Sequence, residues 1–140
     1  MALAWPNHVH HEAAAAWFRK ARRNGWATCP ATQAGFVRVS SNARAIPSAV
    51  TPREAFEVLA KITGLPGHRF FADDTDLSTS DLLHRERIVG HRQVTDAHLL
   101  AVAIRNGGRL ATFDRGILDL VPGGTDPADA VLLLGTDRRL

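Results

Sequence analysis

The sequence contains little of several features, and each scarcity excludes a class of protein. One cysteine is present among the 140 residues, so an internal disulfide is impossible. The longest apolar runs, residues 13–18 and 99–104, have six residues each, whereas a membrane-spanning helix needs roughly 17–25. The first residues lack a basic segment ahead of a long apolar stretch and so do not resemble a secretory signal. These features predict a cytoplasmic protein without a membrane span.

Lysine is also scarce, occurring only as Lys20 and Lys61, and the other fifteen of the seventeen cations are arginines. The planar guanidinium of arginine matches the geometry of phosphate. Cations exceed acids by nine to three in residues 1–70, whereas acids exceed cations by eleven to eight in residues 71–140. This charge distribution admits a nucleic-acid partner, although a GC-rich genome would also favour arginine over lysine.

The hydrophobic content, 45% of the chain, is enough for one compact core, which predicts a single domain over residues 1–140. Helices are predicted over 11–24, 30–40, 52–63, 81–89, 96–106 and a short stretch up to 120, and strands over 26–29, 68–72, 109–113 and 130–134. Because helices and strands alternate, we expect an α/β sandwich in which helices cover both faces of a parallel sheet.

Two helices carry recognisable start signals. Residues 51–54, Thr-Pro-Arg-Glu, have the pattern of a capping box with proline at the first helical position. Thr95 is expected to cap the helix over 96–106, which ends at Gly107 and Gly108. That helix has few polar residues and is therefore predicted to be largely buried.

Two aspartates are expected at one edge of this sheet. Asp114 directly follows the strand over 109–113, and Asp96 lies at the start of the buried helix. Sites in open parallel sheets form beyond the carboxyl ends of the strands, and two carboxylates that meet there repel each other unless a cation lies between them. Magnesium takes carboxylate and water oxygens, a set that suits metal-assisted phosphodiester hydrolysis. Helix capping is the alternative role for either aspartate.

The residues around these aspartates resemble a known family. Residues 94–117, VTDAHLLAVAIRNGGRLATFDRGI, are similar to the C-terminal half of PIN-domain proteins, in particular the ribonuclease toxins of the VapBC toxin–antitoxin type. The resemblance continues through residues 28–42, TCPATQAGFVRVSSN, and residues 4–18, AWPNHVHHEAAAAWF. It therefore covers nearly the whole chain.

This resemblance implies a three-layer α/β/α fold with an acidic pocket that holds Mg²⁺ or Mn²⁺. Family members cleave RNA with a metal-activated water and are silenced by a cognate antitoxin, and a homodimer is expected. On the matching positions, Asp96 and Asp114 are the predicted metal ligands and catalytic residues, and Gln33 fills a third catalytic position. Thr95 and Thr112 are candidates to orient the two carboxylates, with capping and strand formation as their alternative roles.

The chain departs from the family pattern in two places. Gln33 stands where the family usually has glutamate, and the pattern begins with a strand ending in aspartate that has no counterpart after Met1. A charge pair about 4 Å apart contributes ~1 kcal/mol in water and ~4 kcal/mol at an effective dielectric of about 20, so losing two carboxylates would weaken metal binding by roughly 2–8 kcal/mol.

Two hypotheses explain the absent first strand: a true start upstream of Met1, or a decayed gene. The alternative function is a catalytically degraded module that binds the antitoxin without cleaving RNA.

Arg38, Arg44 and Arg53 are candidates for phosphate contacts with RNA, with a solvated surface as their alternative. His98, two positions after Asp96, is predicted to be an interior histidine with a hydrogen-bond partner.

Overall fold

The computed structural model describes residues 3–135 and divides the chain into two compact units, Met1–Phe71 (unit 1) and Ala72–Leu140 (unit 2). Helices and short parallel strands alternate in both units, so the predicted α/β class and the parallel strand pairing are confirmed. The single domain and the three-layer arrangement stay predictions. Over residues 3–135, no helix has both the length and the apolar character that crossing a bilayer requires.

Unit 1, over residues 3–71, consists of three helices and one pair of strands. Its elements are α1 (His11–Asn24), β1 (Trp26–Thr28), α2 (Pro30–Ser40), α3 (Pro52–Thr63) and β2 (His68–Phe70). β1 and β2 pair in parallel, with Trp26 opposite His68. The core of the unit forms where α2 packs against α3 through the buried side chains of Phe36, Val37 and Ala55.

Side-chain hydrogen bonds explain where α2 and α3 begin. The Thr51 hydroxyl accepts the N–H of Glu54 at 3.3 Å, and the Glu54 carboxylate accepts the N–H of Thr51 at 2.8 Å. The predicted capping box of α3 is therefore confirmed. In α2, the Thr32 hydroxyl accepts the N–H of Cys29 at 2.9 Å, and Pro30 occupies a first-turn position that needs no N–H.

Unit 2, over residues 72–135, consists of one long helix, three short helical segments and a second pair of strands. Its elements are a 3₁₀ helix (Arg85–Arg87), α4 (Arg92–Arg105), β3 (Leu110–Thr112), a second 3₁₀ helix (Arg115–Leu120), α5 (Pro127–Ala130) and β4 (Val131–Leu133). β3 and β4 pair in parallel, with Leu110 opposite Val131. The carboxyl end of β3 leads directly into the second 3₁₀ helix, where one of the predicted site residues lies.

The core of unit 2 is built around α4, as the small number of polar residues in that helix predicts. Leu100 is completely buried and packs in a cluster with Ile117, Leu120 and Val131. The helix ends at the predicted glycine pair, because Gly107 adopts a φ of 68° that favours glycine. The buried helix and its C-terminal end are therefore confirmed.

The predicted start of α4 was wrong. The helix begins at Arg92, so Thr95 lies inside it and does not cap it. The amide oxygen of Gln93 accepts hydrogen bonds from the backbone N–H groups of Val89 at 2.8 Å and Gly90 at 3.0 Å. These bonds hold the segment that enters the helix, so the helix extends one turn further than the threonine signal indicates.

The predicted helix over 81–89 was also wrong, since only the single 3₁₀ turn Arg85–Arg87 forms there. The Ser80 hydroxyl accepts the N–H of Leu82 at 3.2 Å, and His84 Nδ1 lies 3.2 Å from the carbonyl oxygen of Val121. The bond from Leu82 to Ser80 is local, and such bonds compete with helical hydrogen bonding, whereas the His84 contact joins the segment to a residue 37 positions away. The segment therefore follows its turn contacts instead of continuing as a helix.

Candidate active site

Asp114 lies two residues beyond the carboxyl end of β3 and caps the second 3₁₀ helix. Its Oδ1 accepts the N–H of Gly116 at 2.7 Å, and its own N–H donates to the Thr112 hydroxyl at 3.0 Å. A Cβ atom at Gly116 would lie 3.1 Å from that same Oδ1, which is tighter than ordinary contact. One oxygen of the exposed carboxylate is therefore held by a turn in which a side chain at position 116 would displace it by a few tenths of an ångström.

Asp96 lies at the beginning of the second turn of α4 and is partly buried. Its neighbour Ala97 faces the core at 3% exposure, so the orientation of the helix is fixed next to the carboxylate. Gln93, one turn earlier, holds the segment that enters the helix. The position of the Asp96 carboxylate therefore depends on core packing below it and on the hydrogen bonds of Gln93 before it.

The two aspartates interact electrostatically, although 18 positions separate them in the sequence. Burial raises the pKa of Asp96 above its ordinary value, and the negative charge of Asp114 raises that pKa further. The carboxylate at the strand end thus lies close enough to the helix for its charge to disfavour ionisation of Asp96. A divalent cation between them would relieve this repulsion.

The chemistry of the pair fits a hard divalent cation. Magnesium is commonly held by one or two carboxylates and keeps several of its waters, and Asp96 and Asp114 are two carboxylates that could hold such an ion. Over residues 3–135, no group of three His, Cys, Asp or Glu side chains is arranged to hold a metal ion. Any metal held in this part of the chain would therefore rely on two acidic ligands, with water or neutral oxygens completing its shell.

The two threonines predicted to orient the carboxylates make different contacts. The Thr112 hydroxyl contacts the backbone of Asp114 and not its carboxylate, so it acts on the position of the chain. Thr95 is exposed, and its hydroxyl makes no hydrogen bond within the part of the chain that the structure describes. Neither hydroxyl contacts a carboxylate there. Of the two, only Thr112 contacts an aspartate, through the backbone N–H of Asp114.

His98 follows Asp96 by two positions on α4 but faces another direction, since residues two apart on a helix point about 200° apart. Its Nε2 lies 2.8 Å from the Oδ2 of Asp73, and both side chains are less than one-fifth exposed, at 18% and 15%. The ring is thus paired with a carboxylate of the segment before α4. His98 is therefore the interior histidine with a hydrogen-bond partner that the sequence predicts.

Gln33 lies in unit 1, whereas Asp96 and Asp114 lie in unit 2. The Nε2 of Gln33 donates to the Thr28 hydroxyl at 2.9 Å, and that hydroxyl lies 2.8 Å from the Nε2 of His68. Burial lowers the pKa of His68, which favours the neutral ring in this chain of hydrogen bonds. The amide nitrogen of Gln33 is therefore engaged within unit 1, and its role beside the aspartates stays a prediction.

Two residues that support the aspartates were not predicted, namely Gln93 and Gly116. The Asp-Arg-Gly sequence at 114–116 is a signal for a turn in which an aspartate oxygen accepts an N–H two residues later, and it could have identified Gly116. A glutamine that reaches back to backbone N–H groups is a known feature of helix starts. It could have identified Gln93.

Comparison of the sequence with known proteins shows which family it matches. The PIN domain family matches residues 2–122, a range that contains Gln33, Asp96 and Asp114. Ribonuclease VapC39 of Mycobacterium tuberculosis is 48% identical over 124 residues, which are 89% of this chain and 89% of that protein. Ribonuclease VapC38 of the same organism is 51% identical over 120 residues, covering 86% of this chain and 83% of the relative.

A third relative extends the comparison at lower identity. Ribonuclease VapC44, also from Mycobacterium tuberculosis, is 42% identical over 126 residues, which are 89% of this chain and 88% of that protein. The similarity therefore spans most of both chains in each case, and it includes the segments that carry the two aspartates.

Proposed function

Since this chain belongs to the PIN-domain family and is a homologue of VapC ribonucleases, we propose that it is a metal-dependent endoribonuclease toxin. Its substrate is RNA, and its reaction is the hydrolysis of a phosphodiester bond by a metal-activated water. The observation that carries this proposal is the interaction of Asp96 with Asp114, which raises the pKa of Asp96. Two neighbouring carboxylates favour a divalent cation, because the ion compensates both negative charges.

Under this proposal, Asp96 and Asp114 hold Mg²⁺ or Mn²⁺. The bound ion supplies an activated water and positive charge beside the reacting phosphate. Gly116 and Thr112 keep Asp114 in place through the bonds at 2.7 and 3.0 Å, so this carboxylate needs little reorganisation when the ion binds. A catalytic role for Gln33 is part of the proposal; its neutral amide can coordinate through oxygen but accepts no proton at neutral pH.

A cleavage assay with Asp96→Asn tests this function. The variant should lose at least about 100-fold in the rate of RNA cleavage, because metal catalysis contributes several kcal/mol to stabilisation of the transition state. Chelation of the metal should abolish cleavage by the unchanged protein. The matched control is Asp119→Asn, which removes an exposed carboxylate from the 3₁₀ helix that Asp114 caps. Cleavage by Asp96→Asn at the rate of the unchanged protein would contradict the proposal.

A second candidate function is antitoxin binding without cleavage. The observation in its favour is the acid count: no group of three acidic or other metal-ligating side chains forms within residues 3–135, and position 33 is an amide. Antitoxin binding with no RNA cleavage in either Mg²⁺ or Mn²⁺ would support this function over the first. Gln33→Glu separates the two, since an added carboxylate should raise activity only if position 33 contributes to the metal site.

The partners under this proposal are an RNA substrate and a cognate antitoxin protein that silences the enzyme, and the protein acts as a homodimer. The support for an antitoxin is the homology to VapC proteins. An RNA substrate and an antitoxin place the activity in the cytoplasm. Co-purification of the natively expressed protein with a small partner, followed by measurement of the mass of the complex, tests both the partner and the dimer.

A further inference from the structure

α1 has two faces of different chemistry. Ala14 is buried, and Trp17 and Phe18 are partly buried on the same side; Phe18 meets Trp26 of β1 edge to face, with ring centres 4.9 Å apart. The opposite side is exposed and lines a shallow open hollow. Its residues recur at the spacing of one helix face, namely Ala16, Arg19, Lys20, Arg23 and Asn24. These five residues are called the basic face below.

The three cations of the basic face have no carboxylate partner within residues 3–135. The arginine–carboxylate ion pairs in that part of the chain join other residues, namely Arg53 with Glu57 and Arg105 with Asp74. The acid of α1, Glu12, lies in the first turn, about 10 Å along the helix axis from Arg19. The charge of the basic face is therefore left uncompensated inside the unit.

The helix dipole does not cancel this charge. The C-terminal end of a helix carries a partial charge of about −0.5, whereas the basic face carries three full positive charges near that end. Unit 1 as a whole has nine cations against three acids over residues 1–70. Arg69 of β2 adds to the same end of α1, since its Nε lies 4.0 Å from the position of a Cβ on Gly25. The net field at this surface is positive.

The shape and the chemistry of the basic face favour an extended polyanion over a small ligand. The hollow is open, and three of its five lining residues are the long cationic side chains of Arg19, Lys20 and Arg23. Residues three and four positions apart on a helix have Cβ atoms about 5–6 Å apart, so the three long side chains can contact neighbouring phosphates of one strand. Guanidinium groups bind phosphate through two parallel hydrogen bonds, and Arg19 and Arg23 supply two of them.

We propose that the basic face of α1, through Arg19, Lys20 and Arg23, binds the phosphate backbone of the single-stranded RNA that this protein cleaves. The inference rests on the proposed ribonuclease function and assigns a binding surface outside the two aspartates. It also distinguishes these residues from Arg53, whose guanidinium pairs with Glu57 at 3.4 Å. A contact with phosphates carries no base selectivity, so the basic face contributes affinity and leaves the choice of sequence to other residues.

The test measures RNA binding without cleavage. The unchanged protein and the triple variant Arg19→Gln, Lys20→Gln, Arg23→Gln are titrated into fluorescein-labelled single-stranded RNA with a metal chelator, between about 50 and 200 mM salt. Each phosphate contact contributes about 0.7 to the slope of log Kd against log salt for a single strand. We expect the triple variant to lose about 2 from this slope and to bind about tenfold or more weakly at the lowest salt.

The matched control is the triple variant Arg85→Gln, Arg87→Gln, Arg105→Gln. It also removes three positive charges from exposed positions, and two of these cations already have partners, the carbonyl oxygen of Ser80 for Arg85 and the carboxylate of Asp74 for Arg105. This control should bind RNA with nearly the slope of the unchanged protein. An equal loss in both triple variants would show a general effect of net charge and would overturn the proposal.

Other outcomes separate the inference from the function beneath it. A basic-face variant that keeps the RNA affinity and slope of the unchanged protein, while binding the antitoxin more weakly, would assign α1 to a protein partner and overturn the inference alone. Absence of both RNA binding and cleavage in the unchanged protein would contradict the proposed function itself. Circular dichroism of each variant checks that the helix content of the protein is retained, so that a loss of binding can be assigned to the removed charges.

Discussion

Asp96 is placed where its charge is unfavourable in the absence of a cation. Partial burial and the neighbouring Asp114 both raise its pKa, so its ionised form destabilises the metal-free fold at neutral pH relative to an uncharged residue of the same shape. The same arrangement favours binding of a divalent ion, since the ion compensates both charges. At the residue scale, the position of Asp96 therefore lowers the stability of the metal-free protein and favours a bound cation.

Replacing Asp114 with asparagine should lower the pKa of Asp96 in the metal-free protein. The reason is that the substitution removes a neighbouring negative charge but leaves Asp96 as buried as before. The pKa is measured by following the carboxyl carbon of Asp96 by NMR as the pH changes. Asp119→Asn is the control, because burial and Asp114 are the causes of the shift and Asp119 is not. An unchanged pKa in Asp114→Asn would show that the two carboxylates do not interact.

Gly116→Ala should reduce RNA cleavage several-fold with little loss of stability. The added Cβ lies 3.1 Å from the Asp114 carboxylate oxygen, so the carboxylate must move by a few tenths of an ångström, and small displacements of catalytic groups lower rates strongly. Cleavage kinetics and urea unfolding are measured together. Gly123→Ala is the matched control, since a Cβ there meets no atom within 4 Å. Equal activity of the two variants would contradict the proposed role of the turn.

At the scale of the element, the helices of both units depend on side chains at their starts. α3 carries its own capping box, in which Thr51 and Glu54 bond each other's backbone. α4 depends instead on Gln93 and on buried residues such as Leu100. The start of α3 can therefore be recognised from a few neighbouring residues, whereas α4 is positioned by packing across unit 2.

The capping box should make stability depend on pH through Glu54. Hydrogen bonds from Thr51 lower the pKa of Glu54 in the folded protein, so the stabilisation is present above the unfolded pKa of about 4.3 and is lost as the pH falls through the lower, folded value. Glu54→Gln should flatten this part of the stability profile, measured by urea unfolding at a series of pH values. Glu57→Gln, in the same helix, is the control. A profile unchanged by Glu54→Gln would refute the assignment.

Leu100→Ala should lower the free energy of unfolding by about 2–5 kcal/mol, the range found when a fully buried leucine is truncated. The side chain is completely buried among Ile117, Leu120 and Val131, so truncation leaves a cavity under α4. The control is Leu77→Ala at a position that is 44% exposed, where a change within about 0.5 kcal/mol is expected. Similar losses in the two variants would show that α4 is not the core of unit 2.

At the scale of the whole molecule, charge and chemistry are distributed unevenly along the chain. Residues 1–70 carry nine cations against three acids and include the basic face of α1, whereas residues 71–140 carry eleven acids against eight cations and include both aspartates. Under the two proposals, one part of the chain contacts a polyanion and the other provides acidic ligands for a cation. A nuclease requires both properties, since it must hold a charged backbone and a metal ion.

The sequence by itself determined the features that depend on near neighbours. The bounds of α1 and α2, the capping box at Thr51, the end of α4 at Gly107 and the place of Asp114 after β3 were all predicted, because each depends on residues within a few positions. Burial of α4 was also predicted, because the apolar composition of a helix is a property of its own residues. The motifs around Asp96 and Asp114 also indicated the family before any contact was known.

Tertiary structure alone decided the features that join distant residues. Sequence could not establish that Asp114 acts on the pKa of Asp96, because their interaction depends on how β3 and α4 pack. It also missed the bonds from Gln33 through Thr28 to His68, which lies 35 positions after Gln33. Such contacts depend on which residues lie close together in space, and helix propensity and residue spacing along the chain do not predict this.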